Sequence, residues 1–276
     1  MIQVQKATAV PAILTAAATQ VIRLAREAEF DANPAACRAP RSRRLNVPAT
    51  LYNDPTVKRQ LEIDQHEKCC YCEAYLKHIG YGDVEHYRPK NGFRQRAGAK
   101  LEKPGYYWLA YDWNNLLFSC KRCNIGHKRN YFPLANHPAG RAFSHNDPVS
   151  QERPLLLHPV QDDPASHIRF RRAVALAVRQ SPRGRATIAL CGLNRKKTLE
   201  RRRTHLAHIE SHDLLAEKDI KSMSQIDLVR EIAKCGSPAA LVRRILQAKA
   251  ICESAAFDSA EFAGMVRANF PHLPRS

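Results

Sequence analysis

Two Cys-x-x-Cys pairs, Cys69 with Cys72 and Cys120 with Cys123, constrain the fold of this chain more than any other feature. Each pair can present two thiolates to one ion, and four thiolates match the tetrahedral coordination that Zn²⁺ prefers. The sequence therefore predicts a structural zinc site that joins the pairs and stabilises the segment between them. Cys70 lies inside the first pair, but the two-residue spacing favours its neighbours as the ligands.

The remaining thiols and the hydropathy argue against an exported or membrane protein. The chain has nine cysteines, an odd number that does not suit a disulfide framework, so a reducing compartment with one metal site fits better. No apolar run approaches the roughly 18–20 residues of a membrane helix. Residues 7–18 are mostly apolar, but they contain Pro11 and follow no basic region, so we predict no signal peptide. We expect a cytoplasmic protein that does not enter a membrane.

The charge balance indicates a polyanionic partner. Lys and Arg number 44 against 26 Asp and Glu, which gives a formal net charge of +18 and favours nucleic acid as the partner. Between Ile168 and Arg203, twelve basic residues are opposed only by Glu200. This run predicts either phosphate contacts or a solvated helix face, and the sequence leaves both open.

Local patterns divide the chain into three expected regions. Residues 1–60 are predicted to be helical and basic, and within them Ala32–Pro48 is a basic loop rich in Pro, Arg and Ala. Residues 61–150 are expected to form the core around the Cys₄ site, with short strands and a helix that begins near Cys123. Residues 151–276 are expected to be basic and mainly helical, after a strand or hairpin over Ile168–Val178.

Capping and apolar spacing predict the individual helices. The sequence Asn53-Asp54-Pro55 is a helix start, and this helix should run to about Glu67. Apolar residues at three- and four-residue spacing predict helices over three later segments, namely Lys197–Glu217, Gln225–Ala233 and Pro238–Glu253.

The residues around the cysteine pairs carry a recognisable motif. Glu85 precedes His86, Asn115 lies five residues before Cys120, and Asn124 follows the second pair directly, nine residues after Asn115. This pattern resembles the HNH endonuclease superfamily, whose motif lies in a ββα-metal fold. The resemblance implies an α+β chain with a ββα-metal core and a Cys₄ zinc ribbon, embedded in a mainly α-helical protein.

The resemblance also implies a role for each motif residue. His86 would take a proton from water, because a neutral imidazole titrates near neutral pH. Glu85, in place of the more common Asp, and Asn124 would bind Mg²⁺ or another divalent ion. Asn115 would hold the loop that carries His86, although Asn114 is an alternative for this role.

Four further residues near the motif could contact nucleic acid. Arg88, Lys90 and Lys128 are candidates for phosphate binding, and exposed charge is the alternative for each. His127 lies about one helical turn beyond Asn124 and could contact metal or phosphate, or face solvent.

A narrower resemblance covers most of residues 1–205. The chain looks like the retron- and Septu-associated HNH endonucleases on several segments, among them Cys72-Glu73-Ala74-Tyr75, Phe132-Pro133-Leu134 and Pro154–Pro159. His158 stands where Asn is expected in many relatives. This resemblance implies the effector nuclease of a bacterial antiphage system, which cuts DNA or RNA and works with an ABC-type ATPase. The alternative is a non-catalytic zinc ribbon that binds nucleic acid or a partner.

Overall fold

The computed structural model describes residues 1–76 and 82–275. The chain divides into two units, of which the first comprises Met1–Arg169 with Ala175–Asn194 and the second comprises Phe170–Val174 with Arg195–Ser276. The expected regions 1–60 and 61–150 both lie in the first unit, and the expected third region contributes to both units.

The first unit begins with short helices. Their bounds are α1 Ala12–Thr15, α2 Ala17–Ala32, α3 Pro34–Arg38, α4 Ala49–Tyr52 and α5 Pro55–Asp64. The predicted start of α5 is confirmed, because the Asp54 carboxylate accepts a hydrogen bond from the Thr56 backbone N–H at 2.9 Å. The helix ends three residues earlier than predicted, since His66 and Glu67 adopt positive φ angles of 51° and 57° that no helix continues.

Two short strands and a helical segment follow the first cysteine pair. Strand β1, Asp83–His86, pairs antiparallel with β2, Leu116–Ser119, so that His86 lies opposite Leu116. The chain then enters a segment with π-helical hydrogen bonding at Arg122–Lys128. The predicted short strands and the predicted helix start near Cys123 are thus confirmed. The first unit also contains α6, Pro182–Leu190.

Long helices dominate the second unit. They are α7 Lys196–Ala216, α8 Gln225–Cys235, α9 Pro238–Ala255 and α10 Ala263–Asn269. The three helices predicted by apolar spacing are α7 to α9, and their bounds agree with the prediction to within two residues. Ser224 and Ser237 cap α8 and α9, and Gly236, at a φ of 86°, ends α8. The segment predicted to be a strand or hairpin is a hairpin, β3 Ile168–Arg171 with β4 Val174–Ala177, and the boundary between the units falls within it.

The basic run at 168–203 is less uniform than its sequence indicates. Arg202 is only 1% exposed, and its guanidinium lies 4.9 Å from the Phe170 ring and 5.6 Å from the Phe262 ring. Arg201 pairs with Glu261 at 2.7 Å. Arg202 is therefore shielded from solvent and from phosphate, and Arg201 is compensated by a carboxylate of the second unit.

In the part of the chain that the structure describes, no helix has both the length and the apolar character needed to cross a membrane.

Candidate functional site

The four motif cysteines lie together inside the first unit. All are at most 4% exposed, their sulfur atoms lie within 4.8 Å of one another, and the Sγ atoms of Cys72 and Cys120 are 3.9 Å apart. A tetrahedral zinc ion with Zn–S bonds of about 2.3 Å separates its sulfur ligands by about 3.8 Å. The cluster therefore fits one zinc ion, as the two-residue spacing predicts.

Position, and not the pKa of its thiol, distinguishes Cys70 from the cluster, because hydrogen bonds within the cluster raise the pKa of Cys123 as burial raises that of Cys70. Hydrogen bonds with Cys120 and then Cys123 lower the pKa of the Cys72 thiol, which favours the thiolate that a metal requires. Cys70 lies outside the cluster, and burial raises the pKa of its thiol well above the usual range. Its backbone N–H instead donates to the carbonyl of Phe118 in β2 at 3.0 Å. The backbone of Cys70 therefore joins the first cysteine pair to β2, which is a structural role.

His86 ends β1 in a buried pocket of fixed geometry. The side chain is 7% exposed, its Nε2 lies 3.0 Å from the Ala110 carbonyl oxygen, and the Tyr52 ring packs edge-on at 4.6 Å between centroids. Burial, and then the positive charge of Lys90, lower the pKa of His86 well below its usual value. The imidazole is therefore neutral at physiological pH, with one ring nitrogen bound to the backbone.

Glu85 and Lys128 form a buried ion pair behind this residue. Glu85 is 3% exposed and Lys128 is 1% exposed, and the lysine ammonium contacts the carboxylate directly. The same ammonium donates a hydrogen bond to the His86 carbonyl oxygen at 2.8 Å. Burial raises the pKa of Glu85, and the charge of Lys128 opposes that rise. The structure thus places Lys128, a predicted phosphate contact, against the carboxylate that was predicted to bind a divalent ion.

Asn115 holds the backbone that follows His86. Its Oδ1 accepts from the Arg88 N–H at 2.7 Å, and its Nδ2 donates to the carbonyl oxygens of Arg88 at 3.1 Å and Leu109 at 3.0 Å. Asn115 is 4% exposed, whereas Asn114 is exposed. Of the two candidates, Asn115 is therefore the one that makes the contacts expected of the middle motif residue.

Asn124 and His127 lie on the helical segment Arg122–Lys128, and both are half-buried. In the described residues, no hydrogen bond joins the Asn124 side chain to Glu85 or His86. His127 packs against Gly192, where a Cβ atom would lie 2.5 Å from the imidazole ring. Gly192 also adopts a φ of 57°, a conformation that favours glycine, so the backbone turn and the nearby imidazole together account for this residue.

The two predicted phosphate contacts that follow β1 differ in their surroundings. Arg88 Nε lies 2.7 Å from the carboxylate of Glu152, which also accepts from the Tyr106 hydroxyl at 2.5 Å. Arg88 is thereby fixed in a polar network, with its side chain 15% exposed. The Lys90 ammonium lies 4.5 Å from the centroid of the Tyr52 ring. The same ring packs against His86.

Three contributors to this site have no signal in the sequence motif: the Tyr52 ring, the Ala110 carbonyl and the Glu152 carboxylate. Each comes from a segment that lies 24 or more residues from its partner in the chain. Sequence spacing predicts contacts only between residues on neighbouring turns. These three contacts join distant segments, so they can be identified only in the folded structure.

Comparison with known proteins identifies relatives from one system. The chain is 40% identical over 156 residues to Septu protein PtuB of Bacillus mycoides, a match that covers 56% of this chain and 52% of the relative. It is 29% identical over 122 residues to Septu protein PtuB of Bacillus thuringiensis, covering 44% of this chain and 35% of that protein. It is also 31% identical over 135 residues to Septu protein PtuA of Bacillus mycoides, covering 49% and 18%.

No family model and no solved structure matches the chain. The matches span about half the length of the first relative and less of the other two. Within those limits the predicted resemblance to Septu-associated proteins is confirmed: the chain is homologous to Septu protein PtuB over about half of its length.

Proposed function

We propose that this chain is an HNH endonuclease that hydrolyses phosphodiester bonds of DNA or RNA. The observation that carries the proposal is the state of His86, a neutral imidazole fixed at the end of β1 by the Ala110 carbonyl. The order of β1, β2 and the helical segment Arg122–Lys128 on a cysteine cluster supports the ββα-metal assignment. The net charge of +18 supports a nucleic-acid substrate.

The hydrogen bond of His86 supports Nδ1 as the nitrogen that would act as the base. In the neutral ring, Nε2–H donates to the Ala110 carbonyl oxygen, so that Nδ1 is unprotonated. Nδ1 would take the proton from the attacking water, and the Tyr52 ring limits rotation of the imidazole. Asn115 would keep this geometry by fixing the backbone of Arg88 on both its N–H and its carbonyl.

The cysteine cluster supports a structural role for zinc. Cys69, Cys72, Cys120 and Cys123 would hold Zn²⁺, and the ion would clamp the end of β2 and the helical segment to the turn that follows α5. The zinc thus supplies folding free energy to a part of the chain whose strands have only four residues each.

The donors expected for a catalytic Mg²⁺ do not fit that ion in this arrangement. The Glu85 carboxylate already holds the ammonium of Lys128, and both side chains are buried. A divalent ion on Glu85 and Asn124 would have to take the place of that ammonium.

We further propose that the nuclease is the effector of a Septu-type antiphage system and works with an ABC-type ATPase. The similarity to Septu proteins PtuB and PtuA supports this role. Co-purification with the ATPase partner tests the assembly. Recovery of this chain alone with full, regulated activity would contradict it.

A cleavage assay tests the nuclease. Purified protein, alone and with its partner, is incubated with tRNA, single-stranded DNA and duplex DNA, with and without Mg²⁺. We expect wild-type cleavage of at least one substrate and a loss of at least 100-fold in His86→Ala, which is the usual scale of general-base catalysis. Asn114→Ala, at an exposed neighbouring position, is the matched control and should cleave normally.

The burial of His86 and the pairing of Glu85 favour a second candidate, a non-catalytic zinc ribbon that binds nucleic acid or a partner protein. It predicts that neither wild type nor His86→Ala cleaves and that both bind nucleic acid with strong salt dependence. It also predicts that His86→Ala leaves phage protection intact. Cleavage or protection that depends on His86 would exclude this candidate.

A further inference from the structure

The first unit contains a cavity of about 290 Å³ whose described walls are strongly basic. Four cationic side chains line it, and no carboxylate does: Arg43, Arg44, Lys90 and Lys103. Ser42, Asn46 and Asn91 add hydrogen-bonding groups. We call this cavity the basic cleft. Its size is close to the lower limit of pockets that hold small molecules, which suits one phosphate-bearing unit.

The charges of the basic cleft are largely uncompensated. Arg44 lies 3.8 Å from Glu29, in a pair whose arginine side chain is 53% exposed. In the described residues, Arg43, Lys90 and Lys103 have no ion pair. Burial lowers the pKa of Lys103, which reflects a cation held partly out of water without a counter-charge. Four like charges around one small space repel each other, and an anion bound between them would relieve that repulsion.

The walls of the basic cleft are fixed by packing. Leu45, next to the two arginines, is 4% exposed and belongs to a buried cluster with Phe30, Cys37 and Tyr107. On the opposite side, a Cβ atom at Gly105 would lie 2.5 Å from the Lys90 carbonyl oxygen, so the two chain segments are in close backbone contact. The basic loop of the sequence is therefore part of a built cavity.

The basic cleft is also connected to the proposed catalytic residue. Lys90 lines the cleft, and its ammonium lies 4.5 Å from the ring centroid of Tyr52. The same Tyr52 ring packs 4.6 Å from the His86 ring. An anion bound in the cleft would therefore lie two side-chain contacts from the imidazole.

We propose that the basic cleft binds a backbone phosphate of the nucleic-acid strand, next to the phosphodiester that reaches His86. The inference rests on the proposed function for the identity of the strand. Arg43 and Arg44 supply planar groups that can each bind two phosphate oxygens, and Lys90 and Lys103 supply point charges. The ligand chemistry is a phosphate diester of the strand, and the phosphate monoester of a free nucleotide is the competing source.

A binding assay separates this inference from the nuclease proposal, because it requires no cleavage. The probe is a fluorescein-labelled 12-nucleotide single strand, in DNA and RNA versions, titrated in the absence of added divalent ions. The double variant Arg43→Gln/Lys103→Gln removes two charges from the cleft. The control Arg96→Gln/Lys100→Gln removes two charges from exposed positions of the same unit that do not line it.

We expect the cleft variant to bind at least about tenfold more weakly at 0.1 M salt, with the slope of log Kd against log salt reduced by about 1. The control should change binding less than twofold. Equal weakening by both variants, or no weakening by either, would overturn the inference. Displacement of the labelled strand by millimolar dTMP, with no preference for the strand, would assign the cleft to a free nucleotide and would also overturn it.

The cleavage assay then tells the two proposals apart. Cleft-dependent binding without cleavage leaves the inference standing and removes the nuclease. Cleavage that is unchanged in the cleft variant, at substrate concentrations below KM, leaves the nuclease standing and removes the inference.

Discussion

The two units of the molecule reach their folds by different means. In the first unit, β1 and β2 have four residues each, and specific contacts surround them: a thiol cluster, a buried ion pair and the Asn115 hydrogen bonds. In the second unit, α7 and α9 have 21 and 18 residues, and their buried positions recur at three- and four-residue spacing along each helix. We therefore expect the first unit to unfold when one key contact is lost. In the second unit, each core substitution should lower the free energy of unfolding without abolishing the fold.

The largest expected effect is the substitution of Cys123, one of the four proposed zinc ligands. We expect Cys123→Ser to lose zinc and unfold the first unit, since structural zinc supplies on the order of 10 kcal/mol of folding free energy. The helical circular dichroism of the second unit should remain. Zinc content by mass spectrometry and limited proteolysis check this outcome. Cys70→Ser, a buried thiol outside the cluster, is the control and should retain zinc.

The next effect concerns the buried ion pair. Lys128→Met leaves the Glu85 carboxylate buried without its partner, so the free energy of unfolding of the first unit should fall by about 3–5 kcal/mol. Chemical denaturation measures the change. The double variant Glu85→Gln/Lys128→Met removes both charges and should be less destabilised than Lys128→Met. Equal destabilisation of the single and double variants would show that the charges are not coupled.

A core substitution in the second unit sharpens the comparison. Leu241 in α9 is 1% exposed, and Leu241→Ala should lower the free energy of unfolding by about 2–5 kcal/mol without abolishing the fold. Leu246 lies on the same helix and is 60% exposed, so Leu246→Ala should stay within about 0.5 kcal/mol of wild type. Thermal and denaturant unfolding of the two variants give the difference. Similar losses in both would contradict this packing of α9.

The smallest expected effect is a pH dependence in the first unit. Burial lowers the pKa of His158 to about 4, and the neutral ring donates from Nε2 to the Asn114 carbonyl while Nδ1 accepts from the Val160 N–H. Below about pH 6.5, the ordinary pKa of histidine, His158 binds a proton in the unfolded chain but stays neutral in the folded chain. Stability contributed by His158 is therefore complete above about pH 6.5 and is lost as the pH falls towards 4.

Between pH 7 and pH 5 this residue should account for about 2 kcal/mol of lost stability. Denaturation of wild type and His158→Gln at both pH values measures the difference, and the variant should show the smaller decrease. An identical decrease in both proteins would mean that other groups cause the pH dependence.

Much of the second unit could be predicted from the sequence, because its signals are local. Ser237-Pro238 and the apolar spacing that follows place α9, and Ser224 caps α8 as a serine at a helix start is expected to do. In the first unit, Asp54-Pro55 placed the start of α5 for the same reason. Each of these features depends on residues within one or two turns.

The candidate site was predictable only in part. The motif spacing selected Asn115 beside His86, and the structure places its side chain on the Arg88 backbone. The sequence indicated Lys128 as a phosphate contact, with exposed charge as the alternative, yet the chain buries it against Glu85. A charged residue on a short helical segment is exposed by default, and only the packing of β1 against that segment reverses this.

By itself, the sequence determined the cysteine cluster, the helices of the second unit and the kinship with Septu protein PtuB. These features follow from residue spacing, helix capping and sequence identity, all of which can be read from the order of residues in the chain. Only the tertiary structure decided that Tyr52 packs against His86, that Lys128 neutralises Glu85 and that distant basic residues enclose one cleft. Such contacts join distant segments, and their free energy depends on burial and on charge partners that no local pattern specifies.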